Sequence, residues 1–151
     1  MAGSLDLTLA DGLEYHRTAD VFQDVCAIVE GAQQSAHHAV NVVLVRRNWL
    51  LGMRIAEERL DGRERGEYGA ASVETLAAEL TERYGKGFTK GSLWQFVRFY
   101  REFPGIVPTV SEQSRPLLSW SHYEELLRVN DAEARAWYER VLHKSVVGCR
   151  E

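Results

Sequence analysis

A glycine-rich turn at residues 84–93 separates two segments whose apolar residues recur at helical spacing. The upstream pattern consists of Val73, Leu76, Ala77 and Leu80, and the downstream pattern of Leu93, Phe96, Val97 and Tyr100. Two amphipathic helices joined by a tight glycine turn are typical of a helix-turn-helix. The turn therefore predicts an all-α fold with a helix-turn-helix, winged-helix-like core.

The second helix of this pair carries a polar stripe. On a helix that begins at Lys90, the residues Lys90, Trp94, Arg98 and Arg101 are spaced four, four and three apart, so they share one face. Residues 81–103 contain five Lys or Arg and two Glu, a local charge of +3. Phosphate contacts need such charge, and Gln and Arg suit base edges in the major groove. The predicted nucleic-acid-binding residues are Lys86, Thr89 and Lys90 on phosphate, Gln95 on bases, and Arg98 and Arg101 on phosphate or guanine.

The same stripe has a second interpretation, because surface helices commonly carry Lys and Arg without binding anything. Trp94 could stack on a base of a single strand. It could equally pack against another helix or form an interface with a partner subunit, where Trp, Tyr and Arg concentrate. A helical dimerisation or protein adaptor module is therefore the alternative to a DNA-binding function.

Length, charge and cysteine content restrict the class of protein. The 151 residues suit one domain, and the formal net charge is −4, so any nucleic-acid binding must rest on a local patch. The sequence contains no run of about 18 apolar residues, so no membrane span is predicted. The polar N-terminus does not have the pattern of a secretory signal. Cys26 and Cys149 form no metal or disulfide motif, which indicates free thiols in a reducing cytoplasm.

Helical spacing and capping residues predict about six helices and no convincing strand. The predicted helices begin near Asp20, Ser35, Ser72, Lys90, Ser121 and Asn130, and the second extends to Leu60. Gly31 weakens or ends the first helix. Gly52 lies inside the second, where it costs about 1 kcal/mol relative to Ala, and so predicts a close crossing with another helix. Linkers are expected at 61–70 and 104–116, a disordered leader at 1–18, the domain at 19–143 and a tail at 144–151.

No catalytic or metal site is predicted. His37 and His38 are adjacent, so on a helix their rings point about 100° apart and cannot share a metal. His122 lies in a helix-capping motif that explains its neighbours without catalysis. The glycines of the turn do not match a phosphate-binding loop. We therefore expect no cofactor, no metal and no small-molecule substrate.

Two compact motifs carry a resemblance to a known family. One is Gly-Lys-Gly-Phe-Thr at 85–89 followed by Arg-Phe-Tyr at 98–100, and the other is Leu-Ser-Trp-Ser-His at 118–122. With further residues between 20 and 142, they resemble the N-terminal domain of bacterial YhcG-type proteins. The resemblance implies a helical domain similar to a winged-helix or helix-turn-helix module, which normally precedes a nuclease domain of the PD-(D/E)xK type. It also implies a part in DNA recognition or assembly, with cleavage done elsewhere.

The chain departs from that family pattern near its end. The acidic motif of the nuclease, Pro-Asp followed by Glu/Asp-x-Lys, is not found, and residues 144–151 differ from the expected continuation. The resemblance therefore implies a non-catalytic DNA-binding or targeting module of a YhcG-like nuclease system, without the nuclease domain. DNA is the expected partner, and a homodimer or a nuclease subunit is a further candidate.

Overall fold

The computed structural model describes residues 6–9, 13–57, 67–106 and 117–148. This part of the chain is mostly helical, which confirms the predicted fold class in its coarse form. Its elements are β1 (Asp6–Thr8), β2 (Glu14–His16), α1 (Val21–Ile55), α2 (Glu67–Tyr84), α3 (Lys90–Glu102), α4 (Trp120–Leu127) and α5 (Ala132–Gly148). The chain divides into two compact units, Met1–Val43 and Leu44–Glu151.

The first unit contains a hairpin that the sequence did not predict. Strands β1 and β2 pair antiparallel with Leu7 opposite Tyr15. After the hairpin, the Asp20 carboxylate accepts hydrogen bonds from the backbone nitrogens of Phe22 (3.0 Å) and Gln23 (3.2 Å). Asp20 therefore caps the first helix, as predicted.

A carboxylate in the first turn of α1 fixes the chain that enters the helix. The hydroxyl of Thr18 donates a 2.6 Å hydrogen bond to Asp24, and the backbone nitrogen of Thr18 donates to the same carboxylate at 3.0 Å. These bonds favour the charged form and hold the pKa of Asp24 below its ordinary value. The entry to α1 is thus held by side-chain chemistry as well as by the Asp20 cap.

The predicted break at Gly31 is wrong, because α1 is one helix of 35 residues. A single glycine costs a helix only about 1 kcal/mol relative to Ala, which favourable neighbouring turns outweigh. The absent side chain leaves room for the hairpin, since a Cβ at Gly31 would lie 3.2 Å from the Cδ1 of Leu13. The predicted end of this helical segment, at 58–60, lies outside the described residues.

In the second unit, α1 crosses α3 at very short distance. A Cβ placed on Gly52 would lie 1.9 Å from the backbone carbonyl oxygen of Phe96, so no other residue fits at this crossing. This confirms the close helix crossing predicted from Gly52. The crossing lies beside a buried apolar cluster formed by Ile55, Val73, Ala77, Leu93, Phe96 and Val97.

A second buried cluster is built largely from aromatic rings. Its buried members are Val45, Trp49, Phe99, Phe103, Ile106, Leu118, Tyr123, Leu126 and Leu127. Trp120 packs edge-on against Phe99 at a centroid distance of 5.1 Å and against Phe96 at 5.7 Å, so it contacts both clusters. The Leu-Ser-Trp-Ser-His motif therefore places Trp120 where it joins the two clusters.

The caps of the last two helices lie near, but not at, the predicted residues. Ser119, rather than Ser121, is the N-cap of α4, and its hydroxyl lies 3.0 Å from the Nδ1 of His122. The carboxylate of Asp131, rather than Asn130, accepts a 2.9 Å hydrogen bond from the backbone nitrogen of Glu133 at the start of α5. Both misplacements arise where several capping residues are adjacent in the sequence.

Some predicted segments lie outside the described residues. These are 61–66 of the first linker, 107–116 of the second, and parts of the leader and tail, including Cys149. Residues 67–70 belong to α2, and α5 continues to Gly148, so the domain boundaries at 18 and 143 stay predictions. Of the helices that the structure describes, none combines the length and apolar character needed to cross a membrane.

Candidate nucleic-acid interface

The turn between α2 and α3 is closed by its own backbone and hydroxyl groups. Gly85 and Gly87 have φ angles of 82° and 108°, the left-handed region that glycine adopts without strain. The hydroxyl of Thr81 donates a 3.3 Å hydrogen bond to the carbonyl of Phe88, which ties the end of α2 to the start of the next helix. The two glycines therefore make the sharp reversal that the sequence predicted.

Thr89 is the N-cap of α3, and its side chain is already engaged. Its hydroxyl oxygen accepts a 3.1 Å hydrogen bond from the backbone nitrogen of Ser92 and lies 2.9 Å from the Ser92 hydroxyl. The first role of Thr89 is thus to hold the helix start. A phosphate contact at Thr89 remains a prediction.

Four cationic side chains lie at the turn. Lys86 is exposed within it, and the Nζ of Lys90 is exposed 3.9 Å from a carboxylate oxygen of Glu74. The sequence interpretation missed two others. The guanidinium of Arg47, from α1, lies 5.6 Å from the ring centroid of Phe88, and that of Arg83 lies 5.5 Å from the ring centroid of Tyr84.

The next part of the predicted stripe lies in a groove between α3 and α4. The groove encloses about 270 Å³ and is lined by Trp94, Gln95, Arg98, Glu124, Leu127 and Arg128. Trp94 is partly buried against the apolar cluster beside Gly52. The structure thus brings Trp94, Gln95 and Arg98 together, but on a surface that α4 also shapes.

Arg98 already has partners within the molecule. Its Nε lies 4.0 Å from a carboxylate oxygen of Glu102, and its Nη2 donates a 3.4 Å hydrogen bond to the side-chain oxygen of Asn130. Glu102 also forms an ion pair with Arg135 of α5. The positive charge of Arg98 is therefore partly offset. Arg101 lies exposed in the last turn of α3.

The predicted site residues consequently form two groups rather than one continuous stripe. Lys86, Thr89 and Lys90 lie at the turn, whereas Trp94, Gln95 and Arg98 lie in the groove. Across the described ranges there is no group of three or more His, Cys, Asp or Glu side chains placed to hold a metal ion. The arrangement offers cationic and aromatic contacts to a ligand.

Comparison with known proteins identifies the family. The chain is 28% identical over 148 residues to a protein of Escherichia coli (strain K12) named "Putative nuclease YhcG", an alignment that covers 80% of this chain and 39% of that protein. The chain thus spans about two fifths of the length of this relative. No solved structure matches. The model of the DUF1016 N-terminal domain matches residues 24–150, which confirms the resemblance carried by the two motifs, and the chain belongs to this family.

Proposed function

We propose that this domain binds DNA through the turn between α2 and α3 and acts as a non-catalytic targeting module of a YhcG-like nuclease system. The observation that carries the proposal is the convergence of Arg47, Arg83, Lys86 and Lys90 on one glycine turn. The name of the relative from Escherichia coli, "Putative nuclease YhcG", supports a nucleic acid as the ligand.

The turn suits phosphate groups for physical reasons. Positive side chains supply the sequence-independent part of DNA affinity by displacing counterions. A side chain added at Gly85 or Gly87 would meet no atom within 4 Å, so the surface beside the backbone is open to a phosphate. The rings of Tyr84 and Phe88 lie against two of the guanidinium groups, and the guanidinium of Arg47 also donates hydrogen bonds of 3.1 and 2.9 Å to the side-chain oxygen of Asn48. Although the whole chain has a formal net charge of −4, the surface at this turn is therefore locally cationic.

The groove suits base recognition less well. Glu124 lines it and would repel a nearby phosphate, and Arg98 is shared with Glu102 and Asn130. We therefore assign Gln95, Arg98 and Arg101 secondary contacts, and expect binding to depend strongly on salt and weakly on sequence. In this proposal, the turn makes the main contacts with DNA and the groove makes the secondary ones.

Fluorescence anisotropy with labelled duplex and single-stranded DNA tests the proposal. The double variant Lys86→Ala/Lys90→Ala should bind at least about tenfold more weakly at low salt, and the slope of log affinity against log salt should fall by about 2. The matched control is Arg140→Ala/Lys144→Ala, which removes the same charge from exposed residues of α5. No complex with either DNA at low salt, or equal weakening in the control, would contradict the proposal.

The groove favours the alternative, an adaptor function. Trp94 supplies apolar surface above the buried Leu127, and Arg98, Arg128 and Glu124 supply charge around it, a composition typical of protein interfaces. In this alternative, a partner such as a nuclease subunit would bind α3 and α4, and Trp94→Ala would weaken that complex while leaving DNA affinity unchanged. Weakened DNA binding by Trp94→Ala would instead support stacking on a base.

A further inference from the structure

The N-terminal part of α1 carries apolar residues at alternating spacings of three and four. They are Phe22, Val25, Val29, Ala32, Ala36, Ala39 and Val43, here called the α1 seam. A mean spacing of 3.5 residues over three heptads is the period of two helices that supercoil around each other. The seam belongs entirely to the first unit, and none of its residues is part of the proposed DNA contact.

All seven residues of the α1 seam are exposed in the single chain. Phe22 is 77% exposed and Val43 is 65% exposed. Within residues 21–43, all of them described, Asp24 is the only buried residue. This stretch of helix therefore has no apolar core of its own.

The composition of this stretch argues that it is not stable as an isolated helix. Seven of its 23 residues are Val or Ile, and Gly31 lies among them. Val, Ile and Gly are all weaker helix formers than Ala, Leu or Glu. Helices in proteins gain most of their stability by packing an apolar face. The α1 seam consequently requires a second surface to cover it.

The hairpin of the same unit lies against a different face of α1. It contacts the helix through the hydrogen bonds of Thr18 to Asp24 and the approach of Leu13 to Gly31. Asp24 and Gly31 are seven residues apart and lie roughly 100° around the helix from the seam. The hairpin therefore leaves the seam open.

The longer segments outside the described residues do not have the composition to cover it. Six of the nine residues at 58–66 are charged, and the ten residues at 107–116 include two prolines. Neither composition supplies a row of apolar residues that matches the 22 positions of the α1 seam. A second copy of this chain, in contrast, carries an apolar surface of the same length.

The charge pattern favours a second copy of this chain. The positions that flank the seam are all uncharged: Val21, Cys26, Ile28, Gln33, Ser35, Val40 and Val42. Charges at such flanking positions set partner choice in coiled coils, so their absence offers nothing to an oppositely charged partner. Two identical seams can meet without opposing like charges. The small side chains of Ala32, Ala36 and Ala39 at the middle allow the two helix axes to approach closely.

We propose that the α1 seam pairs with the same seam of a second copy of this chain, forming a two-stranded coiled coil. The contact is isologous, the commonest type in symmetric homodimers. It buries the row from Phe22 to Val43 on both copies and supplies the apolar packing that this half of α1 lacks.

Sedimentation velocity of the full chain tests the proposal, and Ala36→Glu is the decisive variant. Wild type should sediment as a dimer at tens of micromolar, whereas Ala36→Glu should raise the dissociation constant at least about tenfold, since it places a charge in each seam. The matched control is Ala27→Glu, which makes the same exchange at an exposed position on the opposite face of α1. Ala and Glu are both good helix formers, so neither variant should disturb folding, and circular dichroism verifies this.

Each contrary result overturns the proposal. A monomeric wild-type chain at tens of micromolar would mean that the α1 seam does not pair with itself. A dimer that Ala36→Glu leaves unchanged, or that Ala27→Glu weakens equally, would place the interface on another surface. DNA affinity of the turn variants is measured separately, so failure of the dimer and failure of the DNA proposal are distinguishable.

Discussion

The indole nitrogen of Trp49 donates a 2.8 Å hydrogen bond to the backbone carbonyl oxygen of Phe103, 54 residues further along the chain. Phe103 is the C-cap of α3, where carbonyl groups lack helical partners. The bond thus satisfies a buried acceptor and fastens α1 to the end of α3. Removing it should leave that carbonyl without a partner.

Trp49→Phe should lower the free energy of unfolding by about 2–4 kcal/mol, because a buried acceptor is orphaned and ring volume is lost. Urea unfolding followed by circular dichroism measures this. Trp137→Phe is the control, since Trp137 is 53% exposed on α5, and its effect should stay within about 0.5 kcal/mol. A similar loss in the two variants would refute the role of the Trp49 bond.

Gly52→Ala should destabilise the second unit by about 3 kcal/mol or more, because its Cβ would overlap the backbone of Phe96 rather than a movable side chain. Gly91→Ala is the matched control. Gly91 lies in the first turn of α3, where the nearest atom to an added Cβ is the Thr89 hydroxyl oxygen at 3.9 Å. That exchange should be neutral or stabilising by up to about 1 kcal/mol. Thermal unfolding of the two variants measures this difference. Equal unfolding temperatures would show that the crossing tolerates a Cβ at position 52.

Tyr123 should make the protein sensitive to alkaline pH. Its side chain is buried, which raises its pKa to about 12. The folded state favours the neutral phenol, so this contribution is fully present below the ordinary pKa of about 10 and is lost as pH rises toward 12. The loss amounts to about 2–3 kcal/mol. Tyr123→Phe should flatten the pH dependence of unfolding in this window. The exposed Tyr138→Phe should leave it unchanged, and an identical profile in all three proteins would contradict the assignment.

Glu102 should contribute more to the free energy of unfolding than its partial exposure suggests. Its carboxylate pairs with Arg135, whose side chain is 8% exposed and also donates a 2.9 Å hydrogen bond to the carbonyl of Val129. Glu102→Ala leaves a buried guanidinium without its counter-charge and should cost about 2 kcal/mol. Glu125→Ala breaks an exposed pair with Arg128 and should cost at most about 0.5 kcal/mol.

A double-mutant cycle isolates the Glu102–Arg135 interaction. If the pair is the cause, Glu102→Ala should destabilise an Arg135→Met background less than the wild type, with a coupling of about 1–2 kcal/mol. Additive losses would show that the two side chains act independently.

The helices at the glycine turn were the most predictable part of the fold. Gly85 and Gly87 mark the reversal, Thr89 caps α3, and Pro104 follows its end, so local chemistry set the bounds within a few residues. Gly52 likewise predicted a tight crossing, because glycine destabilises a helix interior and is expected there where a larger side chain would not fit. The continuity of α1 through Gly31 was not predictable in this way, since the contact that accommodates Gly31 comes from Leu13 of the hairpin.

The candidate site was predictable only in part, because contacts between helices that are distant in sequence also shape it. Helical spacing placed Lys90, Trp94 and Arg98 on one face, but it could not show that α4 forms a groove over that face. It also could not place Arg47, which comes from a different helix and reaches Phe88 only through the fold. The three-residue strands were missed because so short a segment carries no readable alternation.

The crossing at Gly52 has a consequence for the charge of the turn. Arg47 lies five residues earlier on α1, about 7.5 Å along the helix axis, and its guanidinium lies 5.6 Å from the ring centroid of Phe88. A methyl group at position 52 would push the helices apart and lift that guanidinium away from the ring. The close approach that Gly52 permits should therefore help to place one of the four cations at a turn more than thirty residues away in sequence.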